Sequence, residues 1–217
     1  MSDSEIEQSR MFVGLDWSNR DLSGQDFNNV CFKQMNFSGT NFRGADLTNS
    51  LCRDCQFIQA DLSDCQLIGA DLRGCDLSGS LMKGANFYRA ILEEANLTAV
   101  QADKETRFFA QHCPESGPFV AYKKCFDDRL VQLLIPAGAQ RTSATDYSCR
   151  CEYAKVLTIK SIDASQGYQE AVSYADERFI YQVGQVMYAE QFNPNRWADS
   201  TGGIHFFMTR QEAIDYL

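Results

Sequence analysis

Cysteine and histidine are the residue types in this chain that could support metal or redox chemistry: it has nine cysteines and two histidines among 217 residues. Four of the thiols lie in the second half, with His112 beside the first of them: Cys113, Cys125, Cys149 and Cys151. Zinc takes four nitrogen or sulfur ligands, and Cys149 and Cys151 would offer two thiolates from one side of a strand. The spacing is not that of a ribbon or finger, which pairs two CxxC-type knuckles. We therefore keep these thiols as weak zinc candidates and expect no cofactor.

A single CxxC, Cys52-Arg53-Asp54-Cys55, is the candidate redox pair. A working redox cysteine needs exposure and a lowered pKa. The sequence pattern described below places both sulfurs inside the fold, where cysteine packs as a small hydrophobe. An odd number of cysteines without a signal peptide also favours reduced thiols, so we predict structural cysteines.

His205 lies in the apolar segment Gly203–Met208, and it could act as a general base or a ligand. The alternative, which we favour, is a histidine that bonds a neighbouring backbone group and supports packing. The chain has no Gly-x-Ser-x-Gly elbow, P-loop, His-Glu-x-x-His or dinucleotide fingerprint. An enzyme centred on His205 therefore stays only as an alternative.

The loop Asn193–Trp197 is the best contact candidate of the second half. Arg196 and Trp197 are the residue types that anchor protein interfaces. The other interpretation is a Trp197 that folds back and plugs the sheet, and the sequence leaves both open.

The elements that position these residues begin with a period of five. From Phe12 to Leu97 every fifth residue is a large apolar side chain or a cysteine, without a break: Phe12, Trp17, Leu22, Phe27, Phe32, Phe37, Phe42, Leu47, Cys52, Phe57, Leu62, Leu67, Leu72, Leu77, Met82, Phe87, Leu92, Leu97. This period matches neither an amphipathic helix nor a flat strand. It fits a square coil with five residues per side and about twenty per turn. The repeats then predict four to five coils, stacked about 4.8 Å apart as β-strands are.

Segments such as Ala45-Asp46-Leu47 and Ala95-Asn96-Leu97 have the form Ala-(Asp/Asn)-Leu-x-x. On this motif, residues 12–99 resemble the pentapeptide-repeat proteins, and the resemblance implies a right-handed four-sided β-helix. The first coil fits the motif less well, so we interpret it as the wider end that caps the tower. Ser4 and Glu7 have capping-box spacing, which predicts a short helix over that end.

Acidic residues precede many of the apolar centres and should point outward: Asp16, Asp21, Asp26, Asp46, Asp61, Asp71 and Asp76. Asp26 and Asp46 should stack on one face. Some pentapeptide-repeat proteins imitate duplex DNA and protect DNA gyrase, which makes a DNA-mimic inhibitor the first alternative function. Basic residues interrupt the acidic series, so we favour a solvated face that keeps the fold soluble.

The second half contains short β-rich runs at 119–125, 130–135, 154–159, 179–188 and 203–208, and then a capping box at Thr209 that opens a terminal helix. Gly184 is predicted to form a bulge. This half resembles an uncharacterised domain that accompanies pentapeptide repeats in phage, prophage and large DNA virus proteins. The resemblance is carried by Cys113–Gly117, Lys123–Cys125, Ile135–Ala137, Ser148–Cys151 and Trp197–Phe207.

We therefore predict a mainly β protein with three parts. They are a β-helix with its N-terminal cap at 1–100, a partly helical connector at 101–112, and a small α+β domain at 113–217. The net charge of −9 argues against direct nucleic-acid binding. The sequence shows neither a long apolar run nor an apolar signal core, so no membrane span is expected and a cytoplasmic location is the default. The favoured function is a non-enzymatic scaffold, from a phage or prophage, that binds an unidentified protein partner.

Overall fold

The computed structural model describes residues 11–198 and 201–216. The chain forms two compact units, Met1–Ala110 and Gln111–Leu217, so the division falls inside the predicted connector. The short helix predicted around Ser4 and Glu7 lies outside the described residues.

The first unit is a stack of coils that repeat every twenty residues. Strands β1 (Met11–Val13), β2 (Cys31–Lys33) and β3 (Leu51–Arg53) are parallel neighbours, with Met11 opposite Cys31 and Cys31 opposite Leu51. Further parallel bridges with the same offset run up the other sides. The twenty-residue coil and the mainly β fold predicted from the period of five are confirmed.

Each side of the coil ends at a residue with a left-handed backbone. From Gly14 to Ala99, the residue two positions after every apolar centre has φ between 54° and 70°. Glycine, asparagine and aspartate adopt this region most readily, which explains why they dominate that position. At Gly84 the space is restricted as well, because an added Cβ would overlap the Asp64 carboxylate.

The apolar centres fill the inside of the tower, as predicted. Phe37 and Phe57, which are twenty residues apart, are both fully buried, with ring centroids 5.0 Å apart. Most of the small residues beside such centres are also buried, and some of them are polar. The Thr40 hydroxyl donates to the Trp17 carbonyl at 2.7 Å. At the same position two coils later, the Ser80 hydroxyl is buried without a hydrogen-bond partner in the described residues, so a polar side chain is not satisfied in every coil.

The last coil extends beyond the predicted end of the repeat. Gln101 bridges Leu81, and Arg107 bridges Asn86, so this coil contains one extra residue. The structure assigns no helix to residues 101–111, and the predicted partly helical connector is wrong there. Exposed amide and carbonyl groups at the end of a β-helix need partners, and this segment supplies them, for instance from the Phe87 amide to the Arg107 carbonyl at 3.0 Å.

Within its described residues, the second unit is built from ten short strands and one helix. In chain order they are β4 (Phe119–Cys125), β5 (Arg129–Ile135), β6 (Arg141–Ser143), β7 (Cys149–Cys151), β8 (Tyr153–Ser161), β9 (Gly167–Tyr168), β10 (Glu170–Val172), β11 (Ile180–Gln182), β12 (Val186–Tyr188), β13 (Ile204–Phe206) and α1 (Arg210–Asp215). The largest sheet has the order β12-β8-β5-β4 with β9 on β8, and all its pairs are antiparallel. A second sheet has the order β13-β7-β6, and β10 pairs with β11.

One predicted strand is divided in the structure. The run 179–188 forms β11 and β12, separated by a turn in which Gly184 has φ of 86°, so Gly184 is not a bulge. The irregularity of the large sheet lies instead between Gln132 and Leu133. The turn allows β11 to pair with β10 and β12 with β8, which a single straight strand could not do.

The terminal helix begins as its sequence predicts. The Thr209 side chain accepts from the Glu212 amide at 3.2 Å, and the Glu212 carboxylate accepts from the Thr209 amide at 3.2 Å. Ala213 packs with Leu130 and Phe207. The part of the chain that the structure describes contains no helix with the length and hydropathy of a bilayer-spanning segment.

Truncating one aromatic centre tests the packing of the tower. Phe57→Ala should lower the free energy of unfolding by about 3–5 kcal/mol, because it leaves a cavity between buried rings. Gln56→Ala, at an exposed neighbouring position, should change it by less than about 0.5 kcal/mol. Thermal and urea unfolding measure both, and similar losses in the two variants would contradict the assignment of inside and outside.

Candidate functional site

One side of the tower combines exposed apolar side chains with basic groups. We call it the apolar–basic face, and it consists of two outward columns. The first is Met11, Cys31, Leu51, Asp71, Ile91, and the second is Val13, Lys33, Arg53, Arg73, Glu93. Met11, Val13 and Leu51 are 60%, 50% and 45% exposed. Large apolar residues at such exposure, next to cations, are typical of a contact surface.

An ion-pair cluster lies in the middle of this face. The Arg53 Nε donates to Asp71 Oδ2 at 2.6 Å, and Arg73 binds both oxygens of the same carboxylate, at 2.6 and 2.9 Å. Burial alone would raise the pKa of Asp71, but the hydrogen bonds from Arg73 and Arg53 outweigh it and lower the pKa to about 2. The cluster fixes two guanidinium groups on the surface and leaves a net positive charge there.

The outward carboxylates of the other sides have a structural role. In repeat after repeat, an Asp or Asn side chain accepts a hydrogen bond from the amide two residues later, as Asp26 does from Asn28 at 2.9 Å and Asp46 from Thr48 at 2.8 Å. This is an Asx-turn, and it stabilises the corner. Asp26 and Asp46 are opposite one another in adjacent coils, as predicted.

Amide side chains interrupt the acidic columns. The column that contains Asp26 and Asp46 continues with Gln66, Asn86 and Arg107. In the neighbouring column, the Asn41 side chain donates to the Asp21 carboxylate at 3.0 Å. At Asp21 the hydrogen bonds from the Ser23 side chain and amide, with a further one from Asn41, lower the pKa of the carboxyl. Regular rows of carboxylates, which a duplex mimic needs, are therefore short on this tower.

The CxxC pair of the tower is buried, as predicted. Cys52 and Cys55 are free thiols with less than 2% exposure. Burial raises the pKa of Cys52 and raises that of Cys65 to about 12. The Cys65 thiol donates to the Phe42 carbonyl at 2.8 Å, so it occupies the same position of its repeat, and makes the same kind of bond, as Thr40. The hydrogen bond with Cys75 lowers the pKa of Cys55 against the effect of burial, but the Cys55 sulfur is shut off from solvent like that of Cys52, and thiols buried in this way are structural.

The four thiols proposed as weak zinc ligands are all buried but do not converge. The interaction of Cys149 with Cys113, together with burial, raises the pKa of Cys149, and the same interaction lowers the pKa of Cys113. The Cys149 thiol donates to the Tyr147 carbonyl at 3.8 Å. Burial raises the pKa of Cys125 to about 11 and that of Cys151 to about 12. Within residues 11–198 and 201–216, no cluster of three or more Cys, His, Asp or Glu could hold a metal ion.

His205 lines a cavity of about 270 Å³ in the second unit. It lies on β13, between the buried side chains of Ile204 and Phe206, opposite Arg150 of β7. The same cavity is lined by Lys123 of β4 and Tyr181 of β11. Both are buried, with exposures of 9% and 1%. His205, Lys123 and Tyr181 thus line one concave site from three different strands.

Lys123 is the residue that the sequence analysis missed. In β4, residues Ala121, Lys123 and Cys125 alternate towards the core, and the lysine occupies a position typical of an apolar side chain. Burial lowers its pKa, although the nearby thiols of Cys125 and Cys151 act in the opposite direction. The alternation Ala-x-Lys-x-Cys was visible in the sequence and could have drawn attention to this lysine.

The Arg196 guanidinium group anchors the loop that contains Arg196 and Trp197. Arg196 donates to the Ser143 carbonyl at 3.1 Å and to the Ala144 carbonyl at 3.2 Å, and it lies 4.1 Å from the centroid of the Trp197 ring. Burial lowers the pKa of Arg196. Arg196 therefore stabilises the loop, and a contact of this loop with a partner stays a prediction.

Comparison with known protein families divides the chain as the fold does. Residues 12–44, 40–79 and 60–98 match the model of pentapeptide repeats in eight copies. Residues 109–213 match a family of unknown function, DUF5758. No curated protein matches the chain.

Solved structures similar to this chain include several pentapeptide-repeat proteins. One from the Arabidopsis thaliana thylakoid lumen is 30% identical, with a TM-score of 0.40; the match covers 42% of this chain and 65% of that one. Rfr23 from the cyanobacterium Cyanothece 51142 is 21% identical, with a TM-score of 0.29 over 47% of this chain and 93% of that one. QnrB1, a plasmid-mediated fluoroquinolone resistance protein, is 16% identical, with a TM-score of 0.20 over 43% and 62%. TM-scores of 0.40 and below do not support an inference about function.

The Asp71 cluster makes the stability of the protein depend on pH. Asp71→Asn should lower the free energy of unfolding at pH 7 by about 1–2 kcal/mol, a value discounted because both guanidinium groups are more than one third exposed. The folded pKa is depressed, so this stabilisation is present above the unfolded pKa of about 3.9 and is lost as the pH falls towards about 2. The difference in the free energy of unfolding between the wild type and Asp71→Asn should therefore decrease over that pH interval.

Urea unfolding at several pH values between 7 and 2 measures the gap. Asp46→Asn is the matched control, because asparagine keeps the Asx-turn and no ion pair is lost; its effect should stay below about 0.5 kcal/mol. A gap for Asp71→Asn that stays constant down to pH 2 would be inconsistent with the cluster as described.

Proposed function

Since residues 12–98 are pentapeptide repeats and a DUF5758 domain follows them, we propose that this pentapeptide-repeat protein is a non-enzymatic scaffold that binds a protein partner. The observation that carries the proposal is the apolar–basic face. Val13 and Leu51 expose apolar surface on a β-helix whose interior is fully packed. Lys33, Arg53 and Arg73 continue the column of Val13, next to the column of Leu51.

The chemistry of this face defines the partner. Apolar side chains of the partner would cover Val13 and Leu51, and its carboxylates would approach Lys33 and the two arginines. Strands β2 and β3 of the face are bonded on both sides by neighbouring coils, and β1 is bonded on one side to β2, so the partner would lose little free energy to ordering of this protein. A phage or prophage origin and a cytoplasmic location stay predictions within this proposal.

Inhibition of a DNA-binding enzyme by DNA mimicry is the alternative that the acidic pair Asp26 and Asp46 favours, since the two carboxyl groups lie in adjacent coils of one column. The amides at Gln66 and Asn86 and the basic Arg107 in the same column weigh against it. An enzyme centred on His205 is the second alternative, and the carboxylates of Asp176 and Glu190 line the same cavity.

Introduction of two carboxylates on the apolar–basic face tests the scaffold proposal. The double variant Val13→Glu/Leu51→Glu should fold, because both side chains point to solvent. It should lose the partner, because it places carboxylates at two exposed apolar positions of the face. Affinity capture from the source organism with chemical cross-linking and mass spectrometry identifies what binds the wild type.

The control variant Gln25→Glu/Gln56→Glu adds the same charge at exposed positions outside the face. It should recover the same partner as the wild type. Equal recovery by the face variant and the control, or no specific partner with the wild type, would overturn the proposal.

A supercoiling assay tests the DNA-mimic alternative. If the carboxylates serve the corners of the coil, micromolar protein should leave the supercoiling activity of gyrase unchanged. Reproducible inhibition of gyrase that disappears in the double variant Asp26→Lys/Asp46→Lys would favour DNA mimicry over the scaffold proposal. Circular dichroism of that variant checks that its β-helix is intact.

A further inference from the structure

The cavity in the second unit has the size and lining of a small-molecule site. Its volume of about 270 Å³ is close to the lower end of the range of roughly 300–1,000 Å³ for ligand pockets. Phe179, Ala189 and Ile204 form apolar walls, while Lys123, Ser173 and His205 contribute polar groups. An apolar body with one or two polar contacts would match such a lining.

Lys123 is the unusual group of the site. Its side chain is buried, and within the described residues no hydrogen bond or ion pair is formed by its ammonium group. Lys123 Nζ is not among the fully buried, unpartnered side-chain atoms of the described residues, so it keeps access to the cavity that Lys123 lines. Even partial removal of a cation from water costs free energy unless an opposite charge or acceptors compensate for it. The neighbouring Lys124 shows the difference, because its ammonium group donates to the Ile214 carbonyl at 3.2 Å. Lys123 thus lacks the compensation that the fold gives to the lysine beside it.

The carboxylates at the cavity are not engaged with Lys123. Asp176 is paired with Arg178, whose Nε lies 3.1 Å from its Oδ1, and its side chain is 36% exposed. Glu190 is an exposed residue that lines the same cavity. The buried part of the site therefore has a positive group, and its carboxylates belong to its solvent-exposed part.

We propose that this cavity binds a small organic monocarboxylate with an apolar body, whose carboxylate pairs with the Lys123 ammonium group beside His205. A phosphate monoester would bring up to two negative charges and three oxygens, and it would need more donors than a single buried lysine and its neighbours supply. A monocarboxylate needs one cation and a few donors, and the cavity is also lined by Ser173 and Tyr181, two residues with hydroxyl groups. This site is distinct from the apolar–basic face, and the inference goes beyond the proposed function.

Paired probes of equal shape test the charge requirement. Benzoate and hexanoate, with benzamide and hexanamide as their neutral counterparts, are added to the full chain in thermal-shift and calorimetric titrations. We expect at least one carboxylate to raise the melting temperature and to bind about tenfold or more tightly than its amide, as a charge-assisted hydrogen bond would require. The absence of any preference for either carboxylate would overturn the proposal.

Substitution of the lysine locates the site. Lys123→Met keeps the length and apolar stem, removes a buried charge, and should fold with an unchanged or higher melting temperature while it loses the preference for the carboxylate. Lys160→Met, at an exposed position of the same unit, is the matched control and should keep the preference. His205→Asn should weaken binding a few-fold and keep the preference. A preference that persists in Lys123→Met would place the carboxylate elsewhere and refute the assignment.

Discussion

The constraint on which the tower depends is the pairing of each coil with the coil twenty residues later. Parallel bridges hold this offset from Met11 to Gln101, and the pairing requires every side to contain five residues and to end in a corner. The corner is made by a left-handed residue at the same position of every repeat, including ten that are not glycine. Residues such as Arg89 and Glu94 adopt this backbone at a cost of about 1 kcal/mol, which the ladder of hydrogen bonds and the buried centres outweigh.

The outer chemistry of the tower follows from the same constraint. A corner is stabilised when the preceding side chain accepts a hydrogen bond from the amide two residues later, and Asp and Asn do this best. The negative charge of the β-helix is thus partly a consequence of turn geometry. The apolar–basic face departs from this pattern, because strands β1 to β3 present Met11, Cys31 and Leu51 where other sides present Asp or Asn. Asp71 returns to the pattern one coil later, and there two arginines neutralise it.

The second unit differs from the tower, because many of its strands pair with segments that are distant in the sequence. Strand β8 lies between β5 and β12, and β13 returns to β7, so the lining of the cavity comes from residues as far apart as Lys123 and His205. The inward position of Lys123 is dictated by the alternation of β4, which leaves Lys124 to bond the terminal helix from the opposite face. The second unit therefore has a buried lysine and a half-buried histidine at one cavity, where they could bind a ligand.

The sequence determined the β-helix almost completely, because its contacts repeat at a fixed separation and each residue's environment follows from its position in the repeat. Phe57, Cys55 and Thr209 are where their local patterns place them. Prediction from the sequence failed where pairing between distant segments determines the structure. Residues 101–107 complete a coil because the amides of the preceding coil need partners. Gly184 lies in a turn because β11 and β12 pair with different strands. The meeting of Lys123 with His205 was decided by the tertiary structure alone, because no local period relates residues that are brought together only by the order of strands in separate sheets.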